Sequence, residues 1–160
     1  MSTTQIILLV VIIVIGGFIY KNKQQQKEVA GLNRIKAQEF LAENAKKAGI
    51  HETSSGLQYE VLVEGEGEVH PSATSKVNVH YHGTMLDGSV FDSSVERNSP
   101  ISFGLNQVIS GWTEGVQLMK AGDKFRFFIH PNLGYGDQAA GKIEPGSLLI
   151  FEVELLKIES

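Results

Sequence analysis

The chain has 160 residues, 42% hydrophobic and 20% charged, enough for one domain of ordinary size with an appendage. It has no cysteine, which excludes disulfides, thiolate metal sites and a cysteine nucleophile. The net charge of −4 is uneven: residues 21–47 hold seven Lys/Arg and three Glu, so the rest of the chain carries −8. An acidic domain argues against a nucleic-acid footprint, and the basic stretch points to a membrane surface.

Residues 6–20, IILLVVIIVIGGFIY, contain no charge, and the uncharged sequence reaches back to Ser2. A helix of about 19 such residues is roughly 28 Å long, close to a hydrocarbon core. A cleaved signal peptide is the competing expectation. It fits less well, because no basic region precedes the run and no A-x-A-like site follows it. Residues 1–20 are therefore expected to be a retained single-pass membrane anchor. Lys21, Lys23 and Lys27 follow the run at once, so the positive-inside rule places the rest of the chain in the cytoplasm, the periplasm being the alternative.

Residues 21–50 read as a basic helical stalk. Glu43 and Lys47 are spaced i,i+4, and Val29, Leu32, Phe40 and Leu41 form only an intermittent apolar stripe. Lys46 and Lys47 fall in its expected last turn, and Gly49 offers a left-handed residue to end it. No sustained heptad is present, which favours a spacer over a dimerising helix, with a homodimer left open.

After SSG (residues 54–56) the hydrophobic period is two. LQYEVLV reads as a strand, and SKVNVHYHG puts Val77, Val79 and Tyr81 on one face and Asn78, His80 and His82 on the other. KFRFFIH turns Phe125, Phe127 and Ile129 inward, and LLIFEVELLKI does the same with Leu149, Phe151, Val153 and Leu155. LDGS and EGEGE carry turn chemistry. One stretch departs from this period: in VISGWTEGVQLM, Ile109, Trp112, Val116 and Met119 recur at helical spacing, with Ser110 as candidate N-cap. The expected fold class is α+β, a curved antiparallel sheet wrapped around one short helix over residues 51–160.

The inward aromatics Tyr81, Phe103, Phe125, Phe127 and Phe151, with Trp112, exceed what a small core needs. Periodicity alone favours the core, and an apolar pocket is the alternative. His80 and His82 lack an evident third ligand for zinc. GEGE lacks the Lys-Ser/Thr of a phosphate loop and opens no helix.

HYHGTMLDGSVFDSSVERNSP, followed by VISGW and by FEVELLKI, resembles the FKBP-type peptidyl-prolyl cis–trans isomerases over about residues 54–160. The lead-in FLAENAKKAGIHETSSGLQYEVL is similar to the bacterial branch, relatives of the macrophage infectivity potentiators. The resemblance implies an enzyme that rotates X–Pro bonds in polypeptides without metal or cofactor and binds macrolides. It places Trp112 under the proline ring and Tyr81, Phe91, Val108, Ile109 and Phe151 around it. It makes Asp92 the partner of Tyr81 and Arg97. The backbone N–H of Ile109 and the hydroxyl of Tyr135 become donors to substrate carbonyls, and Ile143 lies on a flap. Ile101 stands where many relatives have an aromatic, Ala139 or Ala140 where eukaryotic relatives have a histidine, and Lys142 where they have an apolar residue. A proline-recognising holdase or scaffold with little turnover is the alternative function.

Overall fold

The structure, a computed structural model, describes residues 2–160. Helix α1 (Thr3–Asn44) opens on a capping box in which the Ser2 hydroxyl accepts from the Gln5 N–H and the Gln5 side chain accepts from the Ser2 N–H. The apolar run and the basic stretch after it thus lie on one unbroken helix about 63 Å long. It is long and apolar enough to cross a membrane, with an 18-residue stretch of mean hydropathy 2.2, none of it buried.

The second half of α1 does not stand free. Ala30, Ala37 and Asn44, seven residues apart, are buried against the domain, flanked by Asn33, Arg34, Phe40 and Leu41. The expected stripe is corrected here: Leu32 faces solvent, and small residues make the contact because they let the helix axis come close. The helix also ends at Asn44, five residues before the expected stop. The buried Asn44 side chain donates to Gln58 Oε1 at 3.0 Å, and the chain tightens into successive i→i+3 turns at Lys46 and Lys47. Gly49 is left-handed (φ +83), within the turn leading to the first strand.

The sheet has seven antiparallel strands: β1 (Ile50–Glu52), β2 (Gln58–Val63), β3 (Lys76–Thr84), β4 (Val90–Ser93), β5 (Ile101–Gly104), β6 (Lys124–Ile129) and β7 (Leu149–Ile158). They run in the order β1-β2-β6-β7-β3-β4, with β5 also on β3. The expected strands and their parity hold: Val77, Val79, Phe127, Ile129, Leu149, Val153 and Leu155 are fully buried on the inner face. The period-two reading missed β1, β4 and β5, each too short to display alternation. The outer face is less exposed than expected, because Phe128 and its cross-strand partner Gln58 are covered by α1, with the Phe40 ring 5.8 Å from that of Phe128.

Helix α2 (Ser110–Val116) crosses the inner face with Trp112 and Val116 buried. Ile109, not Ser110, occupies its cap position, and no side chain caps it. Met119 lies beyond the helix end yet is fully buried. Its two glycines are a packing requirement: a Cβ at Gly115 would stand 2.6 Å from the Phe127 ring, and one at Gly111 2.8 Å from Ile129. The helix trades propensity for close approach to β6.

Asn44→Ala strands the Gln58 carbonyl under α1 and should cost about 1–3 kcal/mol. Urea unfolding followed by the fluorescence of Trp112, the chain's single tryptophan, measures it, with the exposed Glu43→Ala as the near-neutral control.

Candidate active site

Strand β3 is shared along one edge by two short partners. β5 pairs its first half (Val77 with Phe103, Val79 with Ile101) and β4 its end (Gly83 with Asp92). Tyr81 falls between them, where the connecting loop bulges away. Ser94 closes the gap: its hydroxyl accepts from the Tyr81 N–H at 2.8 Å, and its own N–H donates to the Tyr81 carbonyl at 3.0 Å. The gap lets the Tyr81 ring lie on the concave side beside the loop that carries Arg97.

Rings meet there edge to face. Trp112 stands nearly perpendicular to Tyr81 (centroids 5.3 Å apart, 84°) and to Phe151 (5.1 Å, 85°), and Phe91 to Phe151 (5.1 Å, 89°). Phe103 tilts against Trp112 at 5.3 Å. These contacts match the quadrupoles of the rings and hold each in one orientation. Among the described residues the buried Trp112 indole N–H has no hydrogen-bond partner, and the rings of Tyr81, Phe103 and Phe151 pack against the indole.

Above Trp112 opens a cleft of about 710 Å³. Tyr81, Phe91, Asp92, Ile101, Val108, Ile109, Trp112, Tyr135, Ile143 and Phe151 all line it. Arg97 does not line it; it stands behind, its Nη2 donating to the Tyr81 hydroxyl at 3.1 Å and its Nη1 to Asp92. The Tyr81 hydroxyl in turn donates to Asp92 Oδ2 at 2.5 Å. Sequence reasoning missed Gln107 and Gly141 altogether and named Phe103, Ala140 and Lys142 without assigning them to the wall. Gln107 lies in a 3₁₀ turn (Leu105–Gln107) that carries no periodic signal.

The polar triad is asymmetric. Burial pushes the Tyr81 hydroxyl above its ordinary value, and the hydrogen bond to Asp92 adds to this. Burial acts upward on Asp92 too, but the hydrogen bonds from Tyr81 and Arg97 outweigh it and hold the carboxyl below its ordinary value of 3.8. At neutral pH the triad is therefore a neutral phenol and a carboxylate–guanidinium pair, with no group poised to exchange a proton.

His80 and His82 face away from the cleft, as parity requires, with Nδ1 atoms 2.8 Å from the Ser94 hydroxyl and 2.9 Å from that of Ser93. Among the described residues no group of three His, Asp or Glu is placed to hold a metal ion.

An aromatic cleft on the concave face of a half-wrapped sheet, floored by a tryptophan on a short helix, is the arrangement that the FKBP resemblance implies. Comparison with known proteins agrees. Residues 67–156 match the family model described as FKBP-type peptidyl-prolyl cis–trans isomerase, and residues 13–61 match the domain amino terminal to it. The chain belongs to the FKBP-type peptidyl-prolyl isomerase family. It is 56% identical over 127 residues to the FKBP-type isomerase FkpA of Aeromonas hydrophila, covering 79% of this chain and 47% of that protein. It is 51% identical over 120 residues to the FKBP-type 22 kDa isomerase of Escherichia coli (74% and 58%). The crystal structure of FkpA from Escherichia coli superposes with a TM-score of 0.89 at 37% identity, over 99% of this chain and 73% of that one. The chain spans about half the length of the curated relatives it matches.

Tyr81→Phe removes a hydrogen bond that lowers Asp92, so Asp92 should titrate closer to its ordinary value in carboxyl-carbon NMR; an unmoved titration would assign the depression to Arg97. The sign for stability follows. Because the folded-state value is depressed, the contribution of Asp92 is present above pH 3.8 and is lost as pH falls through the depressed value. The acid limb of a stability–pH curve should be shallower in Tyr81→Phe.

Proposed function

We propose that the chain is a peptidyl-prolyl cis–trans isomerase acting on X–Pro bonds of polypeptide segments. Residues 1–20 anchor it in a membrane, residues 21–50 link anchor to domain, and residues 51–160 carry the chemistry. The observation that carries this reading is the Trp112-floored cleft, in which Tyr81, Phe91 and Phe151 wall an apolar space while Asp92, the one carboxylate among the described lining residues, is neutralised by Arg97.

Rotation about an X–Pro bond costs about 18–20 kcal/mol because amide resonance is lost, and it takes tens to hundreds of seconds unaided. The planar ground state places more negative charge on the carbonyl oxygen than the twisted transition state does. An apolar aromatic cleft therefore binds the twisted form better than the planar one, which is differential binding of the transition state. The pyrrolidine ring suits such walls, since proline brings no N–H to satisfy. Trp112 supports the ring. The N–H of Ile109 and the hydroxyl of the half-exposed Tyr135 donate to flanking carbonyls and hold the peptide bent. Asp92 and Arg97 keep Tyr81 in place. No nucleophile takes part.

The apolar run supports a membrane tether: every large side chain from Ile6 to Ile15, with Phe18 to Tyr20, is exposed and makes no core. The flanking lysines support a cytoplasmic domain. By family resemblance, the same cleft takes a macrolide.

Full-length protein in detergent micelles should accelerate cis-to-trans conversion of an X–Pro test peptide. Phe151→Ala should slow it by about 10–100-fold, the loss of roughly 1.4–2.8 kcal/mol of transition-state binding, and Tyr135→Phe should slow it less. A wild-type rate equal to that in buffer defeats the enzyme reading in favour of a proline-binding holdase. Protease added to intact cells should spare the domain; digestion from outside would reverse the orientation.

A further inference from the structure

Between β6 and β7 the chain leaves the sheet for nineteen residues, 130–148, before returning. This segment supplies Tyr135, Ala140, Gly141, Lys142 and Ile143 to the cleft. Inside it the ties are local: a 3₁₀ turn (Pro131–Leu133), bonds from the Gly136 N–H to the Pro131 carbonyl, from the Gln138 N–H to the Tyr135 carbonyl and from the Ser147 hydroxyl to the Glu144 carbonyl, and an isolated bridge between Ala140 and Ile143. One bond runs across it, from the Gly146 N–H to the Gly136 carbonyl at 2.8 Å. Its base is held from outside. Arg34 of α1 donates from Nη1 to Asn132 Oδ1 at 2.7 Å and from Nε to Asp137 Oδ1 at 2.5 Å, bracketing Tyr135. One residue earlier on the helix, Asn33 Nδ2 donates to the Pro145 carbonyl at 3.0 Å and reaches Glu144 Oε2 at 3.4 Å. One turn before that, Ala30 lies against Gly146, which is left-handed (φ +73). A Cβ there would stand 2.3 Å from the Ala30 carbonyl oxygen.

We infer that Arg34, assisted by Asn33, is a positioning residue that clamps both ends of the 131–146 flap to helix α1 and so sets the flap over the substrate cleft. The helix that carries the apolar run thus ends in a grip on one wall of the site. The guanidinium suits this task because its fork reaches two acceptors, five residues apart in sequence, from one planar group. Lysine, a point charge, reaches one. The pair with Asp137 is solvent-exposed and adds little to global stability, so its consequence is local. Because the flap residues touch bound peptide and the clamp does not, loosening it weakens binding more than it slows rotation.

This inference rests on the isomerase reading for its kinetic readout, and a second readout is independent of it. In full-length protein, Arg34→Ala and Asp137→Asn should each raise KM for an X–Pro peptide by about three- to tenfold while kcat changes less than twofold. The double variant should do no more than Arg34→Ala, and Arg34→Lys should lie between. Hydrogen exchange of amides 134–146 should speed up in both single variants, with the amides of β6 and β7 unchanged. Wild-type KM and wild-type exchange in Arg34→Ala and Asp137→Asn would overturn the clamp. If the wild-type protein has no isomerase activity, that reading fails, and the exchange of the flap amides still decides the clamp. Faster exchange throughout the domain in the variants would make Arg34 a general stabilising residue and would overturn it too.

Discussion

Helix α2 is seven residues long, and Trp112 is the one side chain on it large enough to reach across the concave face of the sheet. The inner-face residues of β3, β6 and β7 would close over a longer helix into a filled core. Here one end is filled, with Phe127, Ile129, Val116 and Met119 fully buried, and the other is left with the indole as floor and open space above. The cleft is the part of the concavity that a short helix does not occupy. Packing to native density elsewhere makes that vacancy rigid, because each ring that borders it is fixed edge-on by another.

The Tyr81–Asp92–Arg97 network follows from the same economy of strands. Neither β4 nor β5 is long enough to pair the whole of β3, so the edge is covered in two pieces with a loop between. The loop brings a guanidinium to the back of the tyrosine, with its Cζ 5.9 Å from the ring centroid. A carboxylate at the edge of an apolar cleft would otherwise be drawn toward protonation. Held by two donors, it stays ionised and fixes the phenol, which is a structural task.

Much of the domain was legible from the sequence because antiparallel strands with one solvated face alternate strictly. The parity of VNVHYHG alone put Tyr81 inside and both histidines outside, where they bind serine hydroxyls. Motif resemblance supplied ten cleft-lining residues, of which periodicity had left Tyr81, Trp112 and Phe151 ambiguous with core. What remained hidden had weak local signals. Strands of three or four residues show no period, and Gln107 sits in a 3₁₀ turn. The docking face of α1 is written in Ala30, Ala37 and Asn44, residues that hydropathy does not mark. Asn44 and Gln58 are polar, and only the partner each finds in the other explains their burial.

The sequence by itself determined the strand parity, the helical stretch around Trp112, the apolar run and the family, since each depends on local spacing or on a contiguous motif. Tertiary structure alone decided that the apolar run and the residues after it form a single helix, that its second half covers the outer face of β2 and β6, and that Arg34 and Asn33 contact the 130–148 segment. Those contacts join residues about a hundred positions apart through exposed polar groups. No period or composition encodes such pairs, because their partners are chosen only when the sheet has brought both ends of the 130–148 segment beneath the helix.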